Sequence, residues 1–237
     1  VLDNYYNSNI RKKNFKTIEI IKGLGAQVIF HKLNHGYLGA AQKYLDSVSV
    51  NKYKWTIIMN NDVTLNHGNI YNYLKDLEKN NSIWAIAPSI KESNGKELNP
   101  YFKNSLSRFK KFFFRKYFIN YYIAYLMQAT RKLFLPEKIE KSNYERNIFS
   151  MNGAVFILKN ELVKLVLATT PLSFLYGEET HITEIITKNK KRIFFTNYLK
   201  FTHEHSVTIG KKLSMKKYNW MKKAYYESIR RGYNFYK

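Results

Sequence analysis

The sequence predicts an α/β protein: a three-layer sandwich with helices on both sides of a mostly parallel central sheet. Two observations lead to it. Short, continuous apolar runs such as Trp55–Met59 and Trp84–Pro88 have the character of strands buried on both faces. Segments with apolar residues at helical spacing lie between such runs, and a β-α-β alternation of this kind builds a largely parallel sheet.

The elements follow in order. Val1-Leu2-Asp3 reads as the end of a strand, and Asn4–Asn9 as a polar turn. Arg11–Lys22 carries Phe15, Ile18, Ile20 and Ile21 at rough helical spacing, and Gly23 and Gly25 stop that helix. Gln27–His31 is a strand, Asn34–Gly39 a loop and Ala40–Val48 a helix. After the strand Trp55–Met59 comes Asn60-Asn61-Asp62, then a helix with Ile70, Tyr71, Leu74 and Leu77 on one face. Trp84–Pro88 is the next strand.

Lys103–Ser142 interrupts the rhythm with crowded Lys, Arg, Phe and Tyr, and reads as a mostly helical insertion. Strand returns at Gly153–Leu158, followed by helices at Glu161–Leu167 and Glu178–Asn189 and the strand Arg192–Thr196. Met215–Tyr233 is a basic, aromatic helix. This organisation gives one main domain over residues 1–213, with the insertion at 103–142, and a C-terminal helix over 214–237.

Composition bounds the chemistry. The chain has 237 residues, 45% of them hydrophobic, enough for a real core. Forty Lys and Arg against 17 Asp and Glu give a net charge of +23, which attracts polyanions: nucleic acid, anionic headgroups or phosphorylated substrates. A genomic bias toward Lys, Asn, Ile and Tyr accounts for part of it. Cysteine is absent, which excludes disulfides, thiolate metal sites and a cysteine nucleophile. No signal-peptide pattern opens the chain. The longest apolar stretch, Phe118–Met127, is broken by Asn120 and falls short of the roughly 20 residues that cross a bilayer.

In open α/β sheets, ligands sit outside the carboxyl ends of the strands. Asp3-Asn4, Asn60-Asn61-Asp62 and the loop leading into Glu178 fall at or near such ends. A carboxylate at Asp62 suits a hard divalent cation shared with phosphate oxygens; it equally suits an Asx turn. Glu178-Glu179 supplies a general base with an orienting partner, or two acids serving the positive end of a helix. His203-Glu204-His205-Ser206 offers imidazoles to a metal or diphosphate, or a plain exposed pair. Asn34–Ala41 places small residues where backbone can approach a ligand.

Taken in order, these pieces resemble family 2 glycosyltransferases, the inverting GT-A group that includes bacterial rhamnosyltransferase-like enzymes. The resemblance rests on Leu2-Asp3-Asn4, Asn34-His35-Gly36-Tyr37-Leu38-Gly39-Ala40, Ile57–Asp62, Asn152-Gly153-Ala154, Phe174–Glu179 and His203–Ser206. It implies a GT-A fold whose first strand is missing from this chain. It also implies transfer, with inversion, from a UDP-, dTDP- or GDP-linked sugar to a saccharide or lipid-linked acceptor in cell-surface polysaccharide synthesis. Asp3, Asn4, Asn34, Gly36, Gly39, Asn61, Gly153 and Ala154 would line the nucleotide-sugar site. Asp62, with His205 in preference to His203, would hold Mg2+ or Mn2+. Glu179 would be the base and Glu178 its partner. The metal motif carries one carboxylate where the family has two, and the acidic pair is Glu-Glu where Glu-Asp is commoner.

The expected location is cytoplasmic, with the basic, aromatic insertion and C-terminal helix resting on an anionic membrane surface and no nucleic-acid partner. Two alternatives are a nucleotidyltransferase on a similar sheet and a non-enzymatic RNA-binding protein, the latter favoured by charge and abundant aromatics.

Overall fold

The computed structural model describes residues 2–3, 15–48, 52–134, 145–204 and 213–236. The chain divides into two compact units, Val1–Val50 and Asn51–Lys237. In the first, β1 (Leu2–Asp3) pairs in parallel with β2 (Ile29–Phe30), Asp3 opposite Phe30. Helices α1 (Phe15–Gly23) and α2 (Tyr37–Ser47) accompany them. Leu38, Ala41 and Leu45, three and then four residues apart, give α2 its buried side, with Ala40 buried next to them.

The second unit is built on a six-stranded sheet. Its strands are β3 (Trp55–Met59), β4 (Val63–His67), β5 (Ile83–Glu92), β6 (Arg146–Ile148), β7 (Val155–Lys159) and β8 (Arg192–His203). Their order is β3-β7-β5-β8-β4, with β6 also on β8. β5 and β8 are parallel, whereas β3–β7, β5–β7, β4–β8 and β6–β8 are antiparallel. The larger sheet is therefore mixed, not mostly parallel as the apolar runs suggest. The reason is β7. Val155–Leu158 are all fully buried, so an antiparallel strand covered on both faces carries the same unbroken apolar signature as a parallel one.

Alternation along β7 separates the two faces. Val155 and Ile157 join Ile86, Ile90, Leu199 and Phe201 in one cluster, closed by Leu74 of α3 (Ile70–Leu77). On other contacts, α6 (Asn160–Leu167) packs on β3, β5 and β7, and α7 (Glu178–Lys188) on β8 and α6. Buried Leu162, Val163 and Val166 supply the packing side of α6, and Ile182, Ile185 and Ile186 that of α7.

Two strands have no counterpart in the apolar runs. β4 has only Val63 buried, with the four residues after it exposed. β6 is only three residues long. β8 also runs seven residues past Thr196, to His203. The irregularity lies between Pro88/Thr196 and Ser89/Lys200, where β5 advances one residue while β8 advances four. Pro88 has no amide to donate at that point, which is where a ladder tolerates a bulge.

The insertion is helical as expected over the residues described: α4 (Arg108–Tyr117) and α5 (Tyr121–Phe134). Residues 135–144 lie outside the described residues. The last helix, α8 (Met215–Arg230), joins the insertion in one aromatic cluster of Phe118, Ala124, Leu213, Tyr218 and Tyr225. Beyond α8 the chain returns to α7. The Tyr233 hydroxyl lies 2.9 Å from His181 Nδ1, and the Asn234 amide donates to the buried Glu184 at 3.0 Å. Arg231 fixes the loop before α7 by donating to the Thr170 carbonyl at 2.7 Å and its hydroxyl at 2.8 Å.

Candidate active site

The site is assembled at one end of the larger sheet. Asn60–Asp62 links β3 to β4, the two strands that end the strand order. The Asn60 amide donates to the Ala154 carbonyl at 3.0 Å, joining the turn to the start of β7. Asp62 is placed by strand register: Val63 pairs with His203, and the Glu204 amide donates to the Asp62 carbonyl at 2.9 Å. The His203 imidazole, 7% exposed, then donates through Nε2 to Asp62 Oδ1 at 3.1 Å. The Asn60 side-chain amide lies 3.4 Å from the same nitrogen.

Gly153 and Ala154 form the next part. Asn152 turns its own Oδ1 to the Ala154 amide at 2.9 Å, while its amide donates to Asn99 Oδ1 at 2.7 Å. This leaves the Gly153 amide directed at Glu179, whose Oε1 accepts it at 3.2 Å. A Cβ at Gly153 would come within 2.8 Å of that oxygen, so a side chain there would displace the Glu179 carboxylate from its present place.

The acidic pair opens α7 from a constrained turn. Tyr176 has φ 72°, uncommon for a residue with a side chain, and Gly177 follows with φ 91°. The Ser173 hydroxyl holds the turn by donating to the carbonyls of Leu175 and of Tyr176, the latter at 3.0 Å. A Cβ on Gly177 would lie 2.8 Å from the Ala224 side chain of α8. The loop that carries the acids is thus pressed against the C-terminal helix.

Electrostatics separates the two acids. Glu178 is buried, at 8% exposure. Burial, and then the charge of Glu179, push its carboxyl from 4.5 up to about 8, against the pull of the Glu178 and Tyr176 amides. Burial also raises Glu179, opposed by its own amide and that of Gly153. Burial disfavours the charged form of each acid, and the neighbouring carboxylate adds to that for Glu178. The surroundings are phenolic: burial and the same carboxylates drive Tyr176 up to about 12, and burial does so for Tyr236, 3.4 Å from Thr180 Oγ1.

The hydrogen bonds therefore unite Asp62, Gly153, Ala154 and Glu179, with Glu178 beside it, and add two residues. Asn60 stands in the motif without a role assigned by the resemblance, and bonds to Ala154 and approaches His203. His203, the second choice to His205, is the imidazole on Asp62. The short Val63-Thr64-Leu65 alternation is the only local trace of β4, and the pairing that brings His203 there is tertiary. Asn61 is exposed in the turn. Asp3, Asn34, Gly36 and Gly39 belong to the first unit. There Asp3 ends β1, and Asn34 Oδ1 accepts the amide of Gly36 at 3.0 Å, ahead of α2. Asn4 and His205 lie outside the described residues.

A cation fits this arrangement in one way. Among the described residues no three His, Cys, Asp or Glu side chains gather as a metal cage. Asp62 offers a carboxylate oxygen, the kind of single protein ligand that substrate phosphates and water complete around a hard cation. His203 would join it only by giving up its Nε2 hydrogen bond to Asp62.

Comparisons with known proteins place the fold. No family model matches the chain, and no curated protein matches it. Among solved structures, the chain is similar to the crystal structure of GalNAc-T7 with UDP, GalNAc and Mn2+, at TM-score 0.58 and 13% identity. The match covers 94% of this chain and 40% of that one, so the chain spans well under half the length of its structural neighbour. It also matches the crystal structure of A197 from STIV, at TM-score 0.45 and 10% identity, over 80% of this chain and 78% of that one. With the sheet and helices described above, the first of these likenesses shows that the chain has a GT-A glycosyltransferase fold.

Proposed function

We propose that the chain is a metal-assisted glycosyltransferase, moving a sugar from a nucleoside-diphosphate donor to a hydroxyl of a saccharide or lipid-linked acceptor, with inversion. The observation that carries the reading is the buried Glu178-Glu179 pair, bonded to Gly153 at the sheet end where Asp62 and His203 meet. The GT-A fold, shared with a structure holding UDP and Mn2+, is consistent with it.

In the proposed reaction Glu179 accepts the proton of the acceptor hydroxyl. The acceptor oxygen bonds to the anomeric carbon as the bond from that carbon to the diphosphate breaks, and the electron pair leaves with the diphosphate. Glu178, protonated at neutral pH, keeps a second negative charge away from the base. The amide of Gly153 orients Glu179, and the turn at Tyr176-Gly177 fixes where the pair stands. Asp62 and His203 would hold Mg2+ or Mn2+, whose contribution when bound is to neutralise the leaving diphosphate. Attack by an activated hydroxyl on the face opposite the leaving group gives inversion and leaves no sugar on the protein.

Three outcomes follow. Glu179→Gln, which keeps the shape and removes the base, lowers turnover about 10²–10⁴-fold with donor affinity little changed; near-normal turnover would place the base elsewhere. Asp62→Ala loses the Mn2+-dependent part of nucleoside-diphosphate binding in calorimetry while its circular dichroism spectrum is kept; unchanged Mn2+ dependence would remove Asp62 from the metal site.

The third concerns pH. Glu178 binds its proton more tightly folded than unfolded, so its contribution to stability is full below 4.5 and is lost as pH rises toward about 8. Glu178→Gln abolishes that loss, so its melting temperature relative to wild type climbs between pH 5 and pH 8.5. A constant difference across that range would mean that Glu178 ionises normally.

A further inference from the structure

The helix α4 stands out among the elements of this chain. It carries five aromatic residues in ten, yet none of its residues is buried. Helical spacing puts Phe109, Phe112, Phe113 and Lys116 on one face. The three phenylalanines are 69%, 53% and 46% exposed. Phe109 and Phe113 rest on each other at 4.8 Å, and Lys116 lies 5.4 Å from the Phe112 ring. Arg108, Lys110 and Arg115 flank this face and are exposed. The opposite face is the one that packs: Phe114 meets Tyr236 at 5.1 Å, and Lys111 donates to the Asn234 carbonyl at 3.2 Å. A second exposed apolar row, Tyr122, Tyr125 and Leu126, lies on α5 at the same helical spacing.

Charge narrows the partner. From 101 to 134 the sequence contains no Asp or Glu and eight Lys or Arg. An apolar row without carboxylates, rimmed by cations, is complementary to a surface that is anionic outside and apolar just beneath. α4 is about 15 Å long at the helical rise, and no helix among the described residues is long and apolar enough to cross a bilayer. Such a helix lies along the interface with its rings among the headgroups.

We propose that α4 docks this protein on a bilayer of anionic phospholipid, with Phe109, Phe112 and Phe113 entering the headgroup region and Arg108, Lys110, Arg115 and Lys116 meeting the phosphates. The inward face of the same helix touches Tyr236, and Tyr236 lies beside Thr180, next to the acidic pair. The docking surface and the Glu178-Glu179 loop are therefore built on one aromatic module. The proposal does not depend on the reaction assigned to that loop.

The test is co-sedimentation of the full chain with vesicles of phosphatidylcholine alone, or mixed equally with phosphatidylglycerol. Binding is expected only with the anionic vesicles and should weaken in high salt, where exposed charges are screened. Each basic residue near such a surface contributes about fivefold in affinity. Replacing Arg108, Lys110, Arg115 and Lys116 by Gln should thus reduce binding by two orders of magnitude or more. Phe109→Ser/Phe112→Ser/Phe113→Ser should also release the protein, with its circular dichroism and melting temperature unchanged, since these rings are not in the core. Equal binding to both vesicle types, binding to neither, or anionic binding that survives both sets of substitutions would overturn the proposal. So would tight binding to a single-stranded oligoribonucleotide without vesicle binding, which would make the rings a base-stacking platform.

Discussion

The amide of Gly153 and the carboxylate of Glu179, 26 positions apart in sequence, meet at 3.2 Å. Much of the larger unit's geometry serves that bond. Around it, a Cβ at Gly153 would meet the Glu179 carboxylate at 2.8 Å, the Ala154 carbonyl accepts the Asn60 amide, and Asn152 Oδ1 accepts the Ala154 amide. Beside Glu179 stands a second buried acid, Glu178, whose carboxyl burial and the charge of Glu179 push up to about 8.

The aromatic tail supports this arrangement from behind. Gly177 leaves no space between the acidic loop and Ala224 of α8, and Arg231, Tyr233 and Asn234 tie the chain after α8 to Thr170, His181 and Glu184. His181 is fully buried, and its second nitrogen lies 2.8 Å from the Thr169 hydroxyl. Burial lowers its pKa from 6.5 to about 4, so it bridges the α6–α7 connection to the tail as a neutral ring. The C-terminal helix and the insertion are thus part of what positions the acidic pair.

Much of this was legible in the sequence, for identifiable reasons. Val155–Lys159 announces itself because a strand covered on both faces needs an unbroken apolar run. Trp55–Met59 has the same kind of run and is a strand, but it lies at the edge of the sheet order with Ile57 and Met59 exposed, so its expected burial on both faces does not hold. Glu178-Glu179 was legible as an acidic pair opening a helix, and Gly153-Ala154 came from the family resemblance alone; the bond between Gly153 and Glu179 is a tertiary contact that neither pattern encodes. Strand direction was not readable, since β7 is as apolar as a parallel strand would be. β4 was missed because its exposed edge gives only a short alternation. Losing β4 meant losing the register Val63–His203, and hence the reason to prefer His203 as the partner of Asp62. Asn60 was missed because its role is made by tertiary contacts to Ala154 and His203 that no local pattern encodes.

The central claim is that the acidic pair serves sugar transfer from a nucleoside-diphosphate sugar. Its most direct test is product analysis by proton NMR, with the chain incubated with UDP-, dTDP- and GDP-sugars, Mn2+ and simple glycoside acceptors. The account predicts free nucleoside diphosphate together with a glycoside of inverted anomeric configuration. Release of pyrophosphate, or a product that retains the donor's anomeric configuration, would contradict it.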